Sequence, residues 1–239
     1  MRVGVSCWER YGDEDNRMGQ PTMPEAAVYI DYKSPYAYLA KDSVYAIEDE
    51  LGIEFDWLPF TLDIPSYLGS AQVDERGELV AEDRTEHQWR RVRFAYMDVR
   101  RYANLRGLTV RAPQKIWDSS LANIALLWAK AQGREKMLAY NDITFERFWK
   151  RELDIEDAAV VSAVLAEANC DTAGFSAFLE GEGRLQHDRI RAQAEDDMGI
   201  FGVPTFVVDD EIFWGREHLP LVRARLKGET PTGDPASVL

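Results

Sequence analysis

Two rhythms of hydrophobic and polar residues alternate along this chain, and they predict where strands give way to helices. Val28 to Tyr32 is β-branched and aromatic and predicts a short buried strand. A helix follows. Ser34 is a good N-cap, Pro35 suits the first helical position, and Tyr38, Leu39, Val44, Ile47 and Leu51 recur at helical spacing. Gly52 stops that helix, and Ile53 to Leu58 alternates apolar and polar, as a strand with one buried face does. Strand, helix and strand in this order make a βαβ unit whose two strands run parallel. Pro59 and the run Thr61 to Pro65 lead the chain away from the sheet.

From about residue 82 to 182 the helical rhythm prevails. Trp89, Val92, Tyr96, Val99 and Ala103 recur at steps of three and four, opposite Arg90, Arg91, Arg93, Arg100, Arg101 and Arg106. Asp118 or Ser119 caps a helix whose run Leu121 to Ala131 is nearly all apolar and therefore buried. Asn141 to Lys150 is aromatic-rich, Asp154 to Asp157 caps a helix over 158–168, and another begins between Asp171 and Leu179. None carries a recognisable catalytic constellation; together they predict a helical domain inserted between parts of one sheet. After a polar helical stretch, Arg189 to Asp197, the rhythm changes again. A loop ending in Val203-Pro204 leads to a strand over 205–208, a turn at Asp209-Asp210, a strand over 211–214, and a last helix over 219–226. Residues 1–25 lack periodicity and read as a flexible leader, and 228–239 read as a tail.

Charge narrows the function. A formal charge of −14 and a pI near 4.7 exclude the net basic footprint that general nucleic-acid binding needs. No window approaches the ~18 consecutive apolar residues of a membrane span. No basic flank precedes an apolar run at the N-terminus, so a cytoplasmic protein is expected. Cys7 and Cys170 form no C-x-x-C pair, and His87, His187 and His218 lack metal-ligand spacing, so neither a dithiol motif nor a metal site is expected. The strand running into the helix capped by Ser34 presents backbone N–H groups and the positive dipole end, which suit an anion or a thiolate. The plainer alternative is that Ser34 only caps. Likewise, the arginine stripe either attracts an anionic substrate or is a solvated face paired with nearby acids.

The order strand-helix-strand, helical insertion, hairpin and helix is that of an α/β thioredoxin-like fold with a large all-helical domain inserted between the βαβ unit and the C-terminal β-hairpin-helix. The thioredoxin-like part is expected at 26–61 and 186–227 and the insertion at 62–185. Asp31-Tyr-Lys-Ser-Pro-Tyr-Ala-Tyr-Leu-Ala40, Gly199-Ile-Phe-Gly-Val-Pro-Thr-Phe206 and Phe213-Trp-Gly215 resemble the motifs of the 2-hydroxychromene-2-carboxylate isomerase family. That family is related to kappa-class glutathione transferases and DsbA-type oxidoreductases.

Ser34 stands where the oxidoreductases carry the first cysteine of C-x-x-C, and Ala37 where they carry the second, so exchange through the protein's own dithiol is excluded. The resemblance implies glutathione as cofactor, its thiol held by the Ser34 hydroxyl and its backbone laid along Val203 at a cis Val203-Pro204 peptide. It implies Trp214, Gly215 and Glu217 at the γ-glutamyl end and Tyr36 as a substrate contact. The implied activity is thiol-assisted isomerisation of a small conjugated or aromatic acid without metal. Glutathione conjugation, as in the kappa-class transferases, and a non-catalytic binding protein are the alternatives. Two departures work against an anionic tripeptide: Glu217-His218 replaces the family's Asp-Arg pair, and Asp118 replaces an Asn. Relatives are commonly dimers, so a homodimer is the expected assembly, with the aromatic helices of the insertion as its interface.

Overall fold

The computed structural model describes residues 26–74 and 76–229. The expected leader and all but the first two residues of the expected tail lie outside the described residues, as does Cys7. Strand β1 (Ala26–Ile30) runs into helix α1 (Pro35–Leu51), and β2 (Asp56–Pro59) follows. The insertion holds α2 (Ile64–Leu68), the short hairpin β3 (Ala71–Val73) and β4 (Leu79–Glu82), and then α3 (Glu86–Leu105), α4 (Ser120–Ala131), α5 (Arg134–Lys150), α6 (Ala158–Glu167) and α7 (Phe175–Glu180). Helix α8 (Glu182–Ala192) passes into a π-helical turn, Gln193–Asp197. Hairpin β5 (Thr205–Val208) and β6 (Glu211–Trp214), a 3-10 turn at Arg216–His218 and α9 (Leu219–Leu226) complete the chain.

The main sheet has the order β2-β1-β5-β6. As the βαβ reading requires, β1 and β2 are parallel, with Val28 opposite Trp57. Strand β5 joins antiparallel, with Val28 opposite Phe206, and β6 pairs antiparallel beyond it. Alternation along the strands separates two cores. Val28, Ile30, Trp57 and Phe206 face the large core, shared with α1, α9 and the insertion. Tyr29, Val207 and Phe60 face a smaller one, closed by Ala194, Ile200 and Val203. Insertion and sheet domain pack as one body: Phe145 of α5 lies 4.8 Å from the Tyr32 ring and stacks at 5.6 Å on Tyr38.

The hairpin β5–β6 and helix α9 fall where the sequence rhythm puts them. Strand β2 is shorter than the alternation of Ile53 to Leu58 suggests. The Phe55 N–H donates at 2.8 Å to the buried Glu48 carboxylate, so a side chain holds that approach instead of the sheet. The expectation of an all-helical insertion is corrected in one respect, since it also carries β3–β4. Both strands lack a buried face, which removes the alternation that marks a strand, and the turn is shaped locally. Asp74 Oδ1 accepts from Arg76 N at 2.8 Å and Glu78 N at 2.9 Å, and Gly77 takes φ +85°.

Candidate active site

The site is assembled where β1 turns into α1. Ser34 takes an extended conformation and caps the helix, its Oγ accepting from Ala37 N at 3.3 Å, with Pro35 at the first position. The same hydroxyl donates to the Val203 carbonyl at 3.3 Å. Val203 is followed by a cis peptide to Pro204. Ser34 and Val203 are 3% and 7% exposed, so a buried contact joins the helix terminus to the loop. The Val203 N–H donates to no acceptor among the described residues.

From Pro204 the chain carries the other expected residues to the same place. The Gly215 N–H donates to the Pro204 carbonyl at 2.9 Å, and Trp214 pairs across the hairpin with Thr205. Two glycines let side chains approach. A Cβ on Gly202 would lie 2.7 Å from Trp214 Nε1, and one on Gly215, at φ +102°, would lie 2.6 Å from the Glu217 carboxylate. Trp214 is half exposed and leans on the exposed Phe201, ring centroids 4.7 Å apart. Ser34, Val203, Pro204, Trp214, Gly215 and Glu217 therefore share one end of the sheet. The Tyr36 hydroxyl donates to Asp98 of α3 at 3.3 Å and also feels the charges of Arg216 and Glu217. Burial first, and then the Asp98 charge and hydrogen bond, push its pKa up to about 12.

Beneath Ser34 lies a buried polar chain that sequence reasoning missed. The wholly buried Asp31 carboxylate accepts from Leu62 N at 2.8 Å, Lys33 N at 3.2 Å and Asn123 Nδ2 at 3.4 Å. The Asn123 amide also donates to Thr61 Oγ1 at 2.7 Å, and Thr61 meets His187 Nε2 at 2.8 Å. On the other side of the ring, His187 Nδ1 lies 3.0 Å from Asp188 Oδ1. Asn123 Oδ1 is buried without a partner among the described residues. These residues come from the turn after β1, the run after β2, α4 and α8, so no local spacing links them. The only signal was a polar residue in each of two apolar contexts, Asp31 after Ile30 and Asn123 within Leu121–Ala131.

Asp118 lies beside the same end of the site, its Oδ1 accepting from Ser120 N at 2.9 Å and from the Ser120 hydroxyl. Desolvation acts to raise its pKa. The Ser120 hydrogen bonds and the charges of Lys33 and Arg184 outweigh it and hold Asp118 below the usual carboxylate value. Of the arginine stripe on α3, Arg90 pairs with Glu86, and Arg106 reaches the Leu39 carbonyl and Asp42. Cys170 is buried away from the site, and burial pushes its thiol pKa up. Among the described residues no group of three or more His, Cys, Asp and Glu is placed to hold a metal ion, and no helix is long and apolar enough to cross a membrane.

This geometry can hold an anionic sulfur at a helix N-terminus beside an unengaged backbone N–H, and neither Ser34 nor Ala37 supplies one. The family model for a DSBA-like thioredoxin domain matches residues 26–227. A 2-hydroxychromene-2-carboxylate isomerase of Pseudomonas putida is 22% identical over 199 residues, covering 83% of this chain and 92% of the relative. One from Sphingobium xenophagum is 26% identical over 199 residues, covering 83% and 95%. A solved structure of a 2-hydroxychromene-2-carboxylate isomerase superposes with a TM-score of 0.66 at 21% identity, covering 85% of this chain and 94% of that one.

Proposed function

The chain belongs to the family of DsbA-like thioredoxin domains, and we propose that it is an isomerase using glutathione to act on a small conjugated aromatic carboxylic acid. The observation that carries this reading is the contact of Ser34 Oγ with the Val203 carbonyl, which puts a hydroxyl, a helix N-terminus and an unengaged N–H together. The isomerase names of relatives that match most of the chain support the same reaction class.

The residues present fit the tripeptide. Val203 offers a free backbone donor to an extended chain. Gly215 lets the Glu217 carboxylate pack against its backbone, and that carboxylate can take an ammonium group. When bound, glutathione supplies a thiolate that adds reversibly to a conjugated carbon, so that a former double bond can rotate. The chain's own part is positional and electrostatic. The α1 terminus favours the anionic form of a sulfur placed there. Ser34 can rotate its hydroxyl from the Val203 carbonyl to donate to that sulfur. With Ser34 and Ala37 in place of two cysteines, no dithiol competes for it.

The test is the ultraviolet absorbance change of a chromene-2-carboxylate-type acid, followed with and without reduced glutathione. Isomerisation that needs glutathione, returns it unchanged and drops at least about a hundredfold in Ser34→Ala supports the proposal. A product that retains the thiol by mass spectrometry makes the protein a transferase. Binding without turnover makes it a binding protein.

A further inference from the structure

We propose that Lys33 is the carboxylate-binding residue of this site, a role that rests on the reading of Ser34 given above. Two lysines of the described chain are buried, and their surroundings differ. Lys41, 7% exposed, has its ammonium 2.5 Å from both Asp42 and Asp142. Lys33, 8% exposed, has only Asp31 Oδ2 at 3.7 Å, outside hydrogen-bond range. Among the described residues its Nζ makes no hydrogen bond at all.

Asp31 is not free to improve that contact. Its oxygens are already committed to Leu62 N, Lys33 N and Asn123 Nδ2, so the carboxylate is pinned by the fold. It therefore fixes where the ammonium sits without satisfying the three N–H donors. The Lys33 stem is buried but its Nζ keeps an edge open to solvent, so its donors meet water until an acceptor on a ligand replaces it. Lys33 directly precedes Ser34, so both belong to the turn that enters α1.

The acceptor that fits is a carboxylate, which makes short charge-assisted hydrogen bonds to an ammonium. Arg184 adds a second cation, since it and Lys33 both act on Asp118. Asp118 is itself held by Ser120 and shares those cations with whatever anion arrives, so selectivity comes from the directed N–H donors of Lys33 and not from net charge. Two sources offer this chemistry: the acid substrate, and the carboxylates of glutathione.

Calorimetric titration with chromone-2-carboxylate, chromone-2-carboxamide and reduced glutathione separates them, using wild type, Lys33→Met and Lys33→Arg. Wild type is expected to bind the acid at least about tenfold tighter than the amide. Lys33→Met should abolish that preference and Lys33→Arg should restore part of it, with glutathione affinity within about twofold. Loss of glutathione affinity in Lys33→Met with the acid unaffected assigns the carboxylate to the cofactor and still supports the role. If Lys33→Met fails to fold, the wild-type acid-to-amide ratio and Lys33→Arg decide. An acid preference and a glutathione affinity that both survive Lys33→Met, or a wild type indifferent to acid and amide whose glutathione affinity Lys33→Met leaves unchanged, overturns the proposal. Acid recognition through Lys33 in a protein that binds no glutathione would instead leave this role standing and remove the thiol reading.

Discussion

Replacing Asp31 by alanine should be among the most damaging single changes at the site, for a reason the geometry makes quantitative. The substitution leaves two backbone N–H groups, of Lys33 and Leu62, without their acceptor and Lys33 without its ion-pair partner. An orphaned buried donor costs about 1–3 kcal/mol; Leu62 is only partly buried, so the two N–H groups together contribute roughly 1–2. Breaking a buried ion pair from one side costs about 3–5 kcal/mol, and the lower end applies because the ammonium is 3.7 Å away and not hydrogen-bonded. A loss of about 4 kcal/mol follows, which for a chain of this size lowers Tm by roughly 8–16 °C. The double variant Asp31→Ala/Lys33→Met removes the uncompensated charge and should recover about 2 kcal/mol of the loss. Circular dichroism followed through heating and through urea at pH 7 measures both. A single variant melting within about 3 °C of wild type, or a double variant no more stable than the single, refutes the assignment of Asp31 as the buried anchor of the turn.

Glu50 pairs with Arg223 and Lys227; hydrogen bonds from those two side chains, and then their charges, lower its pKa to about 2. A depressed folded-state pKa contributes stability that is present above the ordinary value of 4.5 and lost as pH falls through about 2. The Tm gap between wild type and Glu50→Gln should therefore close between those pH values; a constant gap contradicts the pairing. Cys170 is buried with a raised thiol pKa, so in a Cys7→Ser background a disulfide reagent at pH 8 should modify it only as fast as the protein opens. Immediate labelling would show the thiol to be accessible. Gly202→Ala places a Cβ against the half-exposed Trp214 ring, which can swing outward. Stability should change by less than about 1 kcal/mol while Trp214 fluorescence shifts and glutathione affinity drops; an unchanged affinity would place the tripeptide elsewhere.

The parts of this fold written in local patterns were legible in the sequence. Ser34-Pro35 announces the start of α1, the rhythm of Thr205 to Trp214 fixes β5 and β6, and Asp157 caps α6 through Ala159 N and Val160 N. The β3–β4 hairpin was not, because neither strand buries a face and its turn depends on one aspartate and one glycine. The candidate site divides in the same way. Ser34 and the Val203 to Glu217 run lie in motifs, whereas Asp31, Thr61, Asn123 and His187 meet only once the sheet and insertion have folded together. Lys33 is instructive because it stands inside the motif, yet the character of its ammonium depends on how the Asp31 oxygens are shared. Tyr36 shows the converse, a motif residue whose hydroxyl donates to Asp98 on α3.

The most direct test of the central claim is calorimetric titration of reduced glutathione and of S-methylglutathione into wild type and Ser34→Ala at neutral pH. Loss of the Ser34 cap should cost about 1 kcal/mol of stability and leave the fold intact, so binding is compared in folded protein. The account predicts that wild type binds the free thiol at least about tenfold tighter than the methylated form. It predicts that Ser34→Ala removes this difference while the tripeptide backbone still binds through the Val203 and Gly215 region. Equal affinity for both ligands in wild type, or a thiol preference that persists in Ser34→Ala, would contradict it.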